Sequence, residues 1–140
     1  MEKEMEAAGV TDVMVTSAYR SYDRQHTLFF ETYYQQEKSE HPTWTDDQIY
    51  AEILNYSAYP GTSEHQTGLC VDFLTSTMSD LNNTFEKTQA FAWLVENAHR
   101  FGFILRYAKD KVDVTGYSYE SWHYRFVGRA AATEIYENGL

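Results

Sequence analysis

The alternation of apolar and polar positions divides the chain into a short series of elements. In Asp12-Val-Met-Val-Thr-Ser-Ala-Tyr19, Val13 and Val15 fall in step at a period of two, which predicts a short strand. The run DRQHTLFFETYYQQEKS, Asp23 to Ser39, has no Gly or Pro and sets Leu28, Phe29 and Tyr33 at helical offsets, so a helix is expected there. Thr45 followed by Gln48 has the spacing of a capping box. The helix it opens presents Ile49, Ile53 and Tyr56 on one face and stops near Tyr59-Pro60-Gly61, where proline cannot continue the ladder. After the polar stretch SEHQTG, Leu69-Cys-Val-Asp-Phe-Leu74 reads as an apolar strand interrupted by one acid. Thr84 is expected to cap a third helix with Phe91, Leu94, Val95 and Ala98 as its buried stripe and Gly102 as its stop. Phe103 to Tyr107 and Trp122 to Val127 read as strands, separated by the charged turn AKDKVD and a further short extended piece; Gly128 to Asn138 is helix-compatible. Helices first and last with strands between them predict an α+β fold, a small antiparallel sheet of about four or five strands flanked by helices. No repeat or linker divides the sequence, so residues 1–140 are expected to form a single domain.

Composition narrows the function classes. Of 140 residues, 21 are Asp or Glu and 11 are Lys or Arg, a net charge of −10 that disfavours non-specific attraction to nucleic acid or anionic membrane. With 8 Phe, 3 Trp and 12 Tyr against 7 Gly and 2 Pro, the chain has the aromatic content that disordered sequences lack. No apolar run approaches the roughly 20 residues that span a bilayer. The first ten residues, MEKEMEAAGV, lack the apolar run of a secretory signal, so none is expected in this chain. A single cysteine, Cys70, excludes an internal disulfide.

The chemistry gathers at a few positions. Asp72 sits inside the strand LCVDF, and a carboxylate buried there is costly unless it is paired. His65 precedes it, and a turn through HQTG is required for the two to converge. Glu120 and His123 are likewise spaced wrongly for one face of a flat strand, so Glu120 is expected in a bend leading into the strand that carries His123. Two His and one Asp suit zinc, leaving a fourth position open, and a nearby carboxylate outside the ligand set would be a general base. Spacing alone leaves this open: the imidazoles read equally as hydrogen-bonding residues, and Asp72 as the partner of Arg20 or Arg106. Cys70 shares the face of Asp72 and reads as a small buried hydrophobe rather than a ligand. Trp122, of opposite parity to His123, should point into the core. His26, His41 and His99 are expected in solvated or capping roles.

Four strings taken in order carry a resemblance: Ser17-Ala-Tyr-Arg-Ser-Tyr22 with Gln25; Pro60-Gly-Thr-Ser-Glu-His-Gln-Thr-Gly68 running into Asp72; Phe101-Gly-Phe-Ile-Leu-Arg-Tyr107; and Glu120-Ser-Trp-His-Tyr-Arg-Phe-Val-Gly128. Together they resemble the VanY-type D-alanyl-D-alanine carboxypeptidases, zinc peptidases of bacterial cell-wall metabolism and glycopeptide resistance. The resemblance implies the small α+β fold shared with the hedgehog signalling domain. It implies one zinc ion held by His65, Asp72 and His123, with Glu120 as catalytic base and Arg20 reaching the scissile carbonyl oxygen. Ser63 and Gln25 are implied to hold the terminal D-residue. Ser121 stands where the family commonly has a proline. The implied partner is a peptidoglycan stem peptide ending in D-Ala-D-Ala, in a bacterial cell envelope or cytoplasm. The implied alternatives are a D,D-dipeptidase, an L,D-carboxypeptidase or endopeptidase on cell-wall peptides, and a non-catalytic, zinc-stabilised peptidoglycan-binding module.

Overall fold

Four stretches rich in β-branched and aromatic residues pair into a single antiparallel sheet of order β1-β2-β4-β3. The computed structural model describes residues 1–140. In chain order the main elements are α1 (Glu2–Ala7), β1 (Val13–Ser17), α2 (Tyr22–Thr27), α3 (Tyr34–Glu40) and α4 (Asp46–Tyr56). They continue as β2 (Cys70–Thr75), α5 (Gln89–Asn97), β3 (Phe103–Tyr107), α6 (Val112–Thr115), β4 (Glu120–Phe126) and α7 (Arg129–Asn138). The chain divides into two compact units, one of Met1–Ala18 with Leu69–Leu140 and one of Tyr19–Gly68. No helix is long and apolar enough to cross a membrane.

The first unit holds the whole sheet. Its core gathers Met5 from α1, Phe73 from β2, Leu94 from α5 and Tyr124 from β4 around Phe85, all at least 96 % buried. Each such side chain contributes about 1.5–3 kcal/mol by leaving water. Trp122 packs against this core, as its parity on β4 requires. The buried stripe of α5 runs through Ala90 and Leu94 and continues to Ala98 in the turn that Gly102 closes at φ +87°. A side chain at Gly102 would also be crowded, since a Cβ there would stand 2.7 Å from Cε2 of Phe126 and 3.1 Å from the Arg129 nitrogen.

Three local expectations are corrected. Thr84 does not cap α5: it lies in a 3-10 turn, Asn83–Lys87, whose Asn82 side chain accepts from the Thr84 N–H, and Thr88 caps the helix by accepting from Phe91 N–H at 3.1 Å. The extra turn drops Phe85 into the core before the helix starts. The short helix α6 begins inside AKDKVD, at Val112, and runs to Thr115, where Gly116 at φ +73° closes it, and no strand follows before β4. Glu120 is not in a bend before the strand: it is the first residue of β4, and the irregularity lies within the pairing instead, where Leu105 faces Tyr124 but Tyr107 faces Glu120.

The second unit is helical. From Tyr22 to Glu40 one continuous helix runs through α2, a π-helical segment Leu28–Tyr33, and α3. Gln25, Phe29 and Glu37, buried along it, are spaced in multiples of four. An α-helix drifts by about 40° over each such step, and the wider turn of the π segment takes up part of that drift, so the three stay on one buried face. Against it packs α4, opened by the capping box of Thr45 and Gln48 and contributing Ile49 and Ile53, both 0 % exposed. Tyr56 is only half-buried, yet its hydroxyl donates to the Glu37 carboxylate at 2.8 Å, which satisfies that buried acid.

Candidate metal and catalytic site

The sheet register brings the first two chemical groups together. Asp72 on β2 is the direct partner of His123 on β4, so both side chains leave the same face. Nδ1 of His123 lies 2.9 Å from Oδ1 of Asp72, and the residues are only 4 % and 2 % exposed. The His123 ring is further fixed by stacking on Tyr107, 4.9 Å between centroids, which in turn stacks on Tyr117 at 4.7 Å. The slip between β3 and β4 explains how Glu120, three positions before His123, comes to the same side. Its Oε2 lies 3.8 Å from His123 Nδ1, and its side chain keeps 22 % exposure. It is thus beside the pair and open to solvent, where a group that exchanges protons must be. Cys70, two residues before Asp72, is 1 % exposed and reduced, and its sulfur is within 4.8 Å of a His123 ring nitrogen.

Within the Tyr19–Gly68 unit lie the other predicted residues. His65, 6 % exposed, sits in a 3-10 turn, Glu64–Thr67, ended by Gly68 at φ +69°, a conformation glycine adopts without strain. Ser63 opens that turn, its hydroxyl accepting from the His65 N–H at 3.4 Å. The His65 carbonyl accepts from the Arg20 N–H at 3.0 Å, tying the SAYRS segment to the His65 turn. Arg20 Nη1 donates to Gln25 Oε1 at 2.8 Å. Gln25, 1 % exposed, spends its own Nε2 on Ser57 Oγ at 3.1 Å and on the Ala58 carbonyl at 2.7 Å. Its amide therefore orients Arg20 and has both hydrogens engaged. The remaining histidines pack on aromatic rings: His26 lies 4.8 Å from the Phe30 centroid, His41 stacks on Trp44 at 3.7 Å and His99 on Tyr136 at 4.0 Å. His41 also lies 3.9 Å from the Glu37 carboxylate.

The donor set fits a borderline divalent ion. His123 Nδ1 and Asp72 Oδ1 converge within 2.9 Å on one buried face, near enough for both to reach a single ion. Imidazole and carboxylate are both common zinc donors. Sequence reasoning missed Tyr107, whose ring backs His123 from the neighbouring strand. Its signal was the aromatic at the end of the FGFILRY string, but only the register reveals what it faces.

The fold is that of VanY-type domains. A solved structure described as VanYB in complex with D-alanine-D-alanine is 40 % identical, with a TM-score of 0.79, over 99 % of this chain and 72 % of that one. A vancomycin-resistance D,D-pentapeptidase VanY mutant solved in complex with Zn(II) matches equally, at 40 % identity and a TM-score of 0.79 over 99 % of this chain and 73 % of that one. A D-alanyl-D-alanine carboxypeptidase of Enterococcus faecalis (strain ATCC 700802 / V583) is 42 % identical over 127 residues, 91 % of this chain and 44 % of the relative. The chain thus spans less than half the length of that curated relative. The family model for VanY, D-alanyl-D-alanine carboxypeptidase, matches residues 1–129, and the chain belongs to that family.

Proposed function

We propose that the chain is a zinc-dependent D,D-carboxypeptidase domain that hydrolyses the terminal D-Ala-D-Ala bond of peptidoglycan precursor stem peptides. The observation that carries the reading is the buried Asp72–His123 pair with the Glu120 carboxylate beside it, 3.8 Å from the imidazole and partly open to water. His65 completes the set, so that two imidazoles and one carboxylate hold one zinc ion per chain. A zinc ion bound there supplies Lewis-acid polarisation of the scissile carbonyl and lowers the pKa of water. Glu120 accepts the proton of the attacking water and delivers it to the departing D-alanine amine, the acid–base exchange that a carboxylate beside the ligand set is suited to. Arg20 donates to the carbonyl oxygen and stabilises the negative charge that grows on it. Ser63 holds the terminal D-residue, and Gln25 serves the same end through Arg20, to which its amide oxygen is committed.

Mass spectrometry of a UDP-linked pentapeptide precursor, the matching tetrapeptide and free D-Ala-D-Ala after incubation with the zinc-loaded protein tests the reading. Loss of one D-alanine from the pentapeptide alone is the expected result. Cleavage of the free dipeptide identifies a dipeptidase, and processing of the tetrapeptide an L,D-carboxypeptidase. Binding of the pentapeptide without release identifies a non-catalytic module.

A further inference from the structure

We propose that Asn83 is the positioning residue for Glu120, clamping the backbone on both sides of it; this rests on Glu120 being the general base. Asn83 opens the 3-10 turn Asn83–Lys87, 36 residues from Tyr119 and 38 from Ser121 in sequence. Its Nδ2 donates to the Tyr119 carbonyl at 3.0 Å, and its Oδ1 accepts from the Ser121 N–H at 3.0 Å. Those groups belong to the two peptide units that flank Glu120. One planar amide thereby holds both, in the way a neighbouring strand pairs with a residue through its ladder.

The clamp falls where the sheet's own ladder is weakest. Pairing between β2 and β4 runs from Cys70–Arg125 to Asp72–His123 and does not reach Glu120. On the other side, β3 meets Glu120 through Tyr107 only after the register has slipped past Leu105. A residue at such an irregularity swings with small changes of backbone angle, and its carboxylate swings further. The turn that carries Asn83 is itself anchored: Phe85 is 0 % exposed in the core, and Asn82 Oδ1 accepts from the Thr84 N–H at 3.0 Å. Nearby, Glu86 is held by Lys109 at 2.6 Å, and that ammonium lies 4.8 Å from the centroid of the Tyr119 ring. The residue type matters as much as the place. A side-chain amide offers a donor and an acceptor from one rigid plane, whereas a carboxylate would turn an oxygen toward the Tyr119 carbonyl and alanine would offer neither.

The test uses the zinc-loaded full chain with Asn83→Ala and Asn83→Asp, each alone and with Glu120→Gln, on whichever cell-wall peptide the wild type cleaves. Displacing a reacting group by about 1 Å costs on the order of 100-fold, so Asn83→Ala is expected to lower kcat by about 10- to 100-fold. KM and zinc content should stay near wild type, and hydrogen exchange at the Ser121 amide should quicken. Asn83→Asp keeps the acceptor for Ser121 N–H but sets an oxygen against the Tyr119 carbonyl, so it should lower kcat as well, which preserves the test if the alanine variant folds poorly. Because Asn83 acts through Glu120, adding Asn83→Ala to Glu120→Gln should lower the residual rate no further. An equal fall in both backgrounds, or an unchanged kcat with faster Ser121 exchange, overturns the positioning role. Glu120→Gln at wild-type turnover overturns the base assignment itself, separately from anything Asn83 does.

Discussion

Replacing Asp72 with asparagine preserves shape and removes one charge from a site that is 2 % exposed and 2.9 Å from an imidazole. If Asp72 is a zinc ligand, the loss exceeds the 10- to 100-fold that substituting a residue behind a ligand costs in metal affinity. We expect at least about 100-fold, or roughly 2.8 kcal/mol at 1.4 kcal/mol per decade. In a domain of this size about 1 kcal/mol moves Tm by roughly 3–5 °C, so the stabilisation given by zinc should shrink by about 10 °C. The metal-free protein behaves differently. There a buried carboxylate is costly to keep charged, and the carboxamide still bonds to His123, so Tm should shift by less than about 4 °C. Calorimetry with and without zinc, joined to a competitive chelator titration, separates the two effects. Wild-type zinc affinity in Asp72→Asn would refute the ligand role and leave Asp72 as a group that only orients His123. Cys70→Ser is the companion variant, with zinc affinity expected to be unchanged.

Other outcomes follow from single contacts. Glu120→Gln should lower kcat by about 100- to 10,000-fold with zinc still bound at one ion per chain by metal analysis; loss of the metal would make Glu120 a ligand instead. Gly102→Ala should destabilise by more than about 1 kcal/mol in denaturant melts, because φ is +87° and the new Cβ would meet Phe126 at 2.7 Å; a neutral result would show that the turn after α5 relaxes freely. Tyr119 is pushed up to about 12, by burial first and then by its hydrogen bond to Glu86. A pKa raised on folding favours the native state fully below the unfolded value near 10 and loses that contribution as pH climbs through 12. Tyr56 and Tyr124 are raised as well, chiefly by burial, so absorbance titration of Tyr119→Phe should keep a late tyrosinate component but lose the amplitude of one tyrosine near pH 12; an unchanged amplitude there would contradict the assignment.

The elements that periodicity foretold are those whose burial is decided locally. Ile49 and Ile53 behind the capping box of Thr45 and Gln48 needed no tertiary partner to be read, and neither did the apolar β2 around Asp72. What escaped was decided at a distance. Thr84 and Thr88 have equal local claim to cap α5, and only the core's demand for Phe85 chooses between them. The acid at Glu120 was legible as a residue out of phase with His123, but the slip of β3 past β4 that reconciles them depends on its pairing with Tyr107, 13 positions away in the chain. Gln25 was legible as a polar residue in a motif; that its amide is spent on Arg20, Ser57 and Ala58 is a fact of packing. The same holds for Tyr107 behind His123.

The central claim is that His65, Asp72 and His123, and not Cys70, hold the ion. X-ray absorption at the zinc edge of the metal-loaded protein tests it directly. The account predicts a shell of nitrogen and oxygen scatterers at about 2.0–2.2 Å, with the outer features of two imidazoles and no sulfur. A sulfur shell near about 2.3 Å, or a single imidazole, would contradict it.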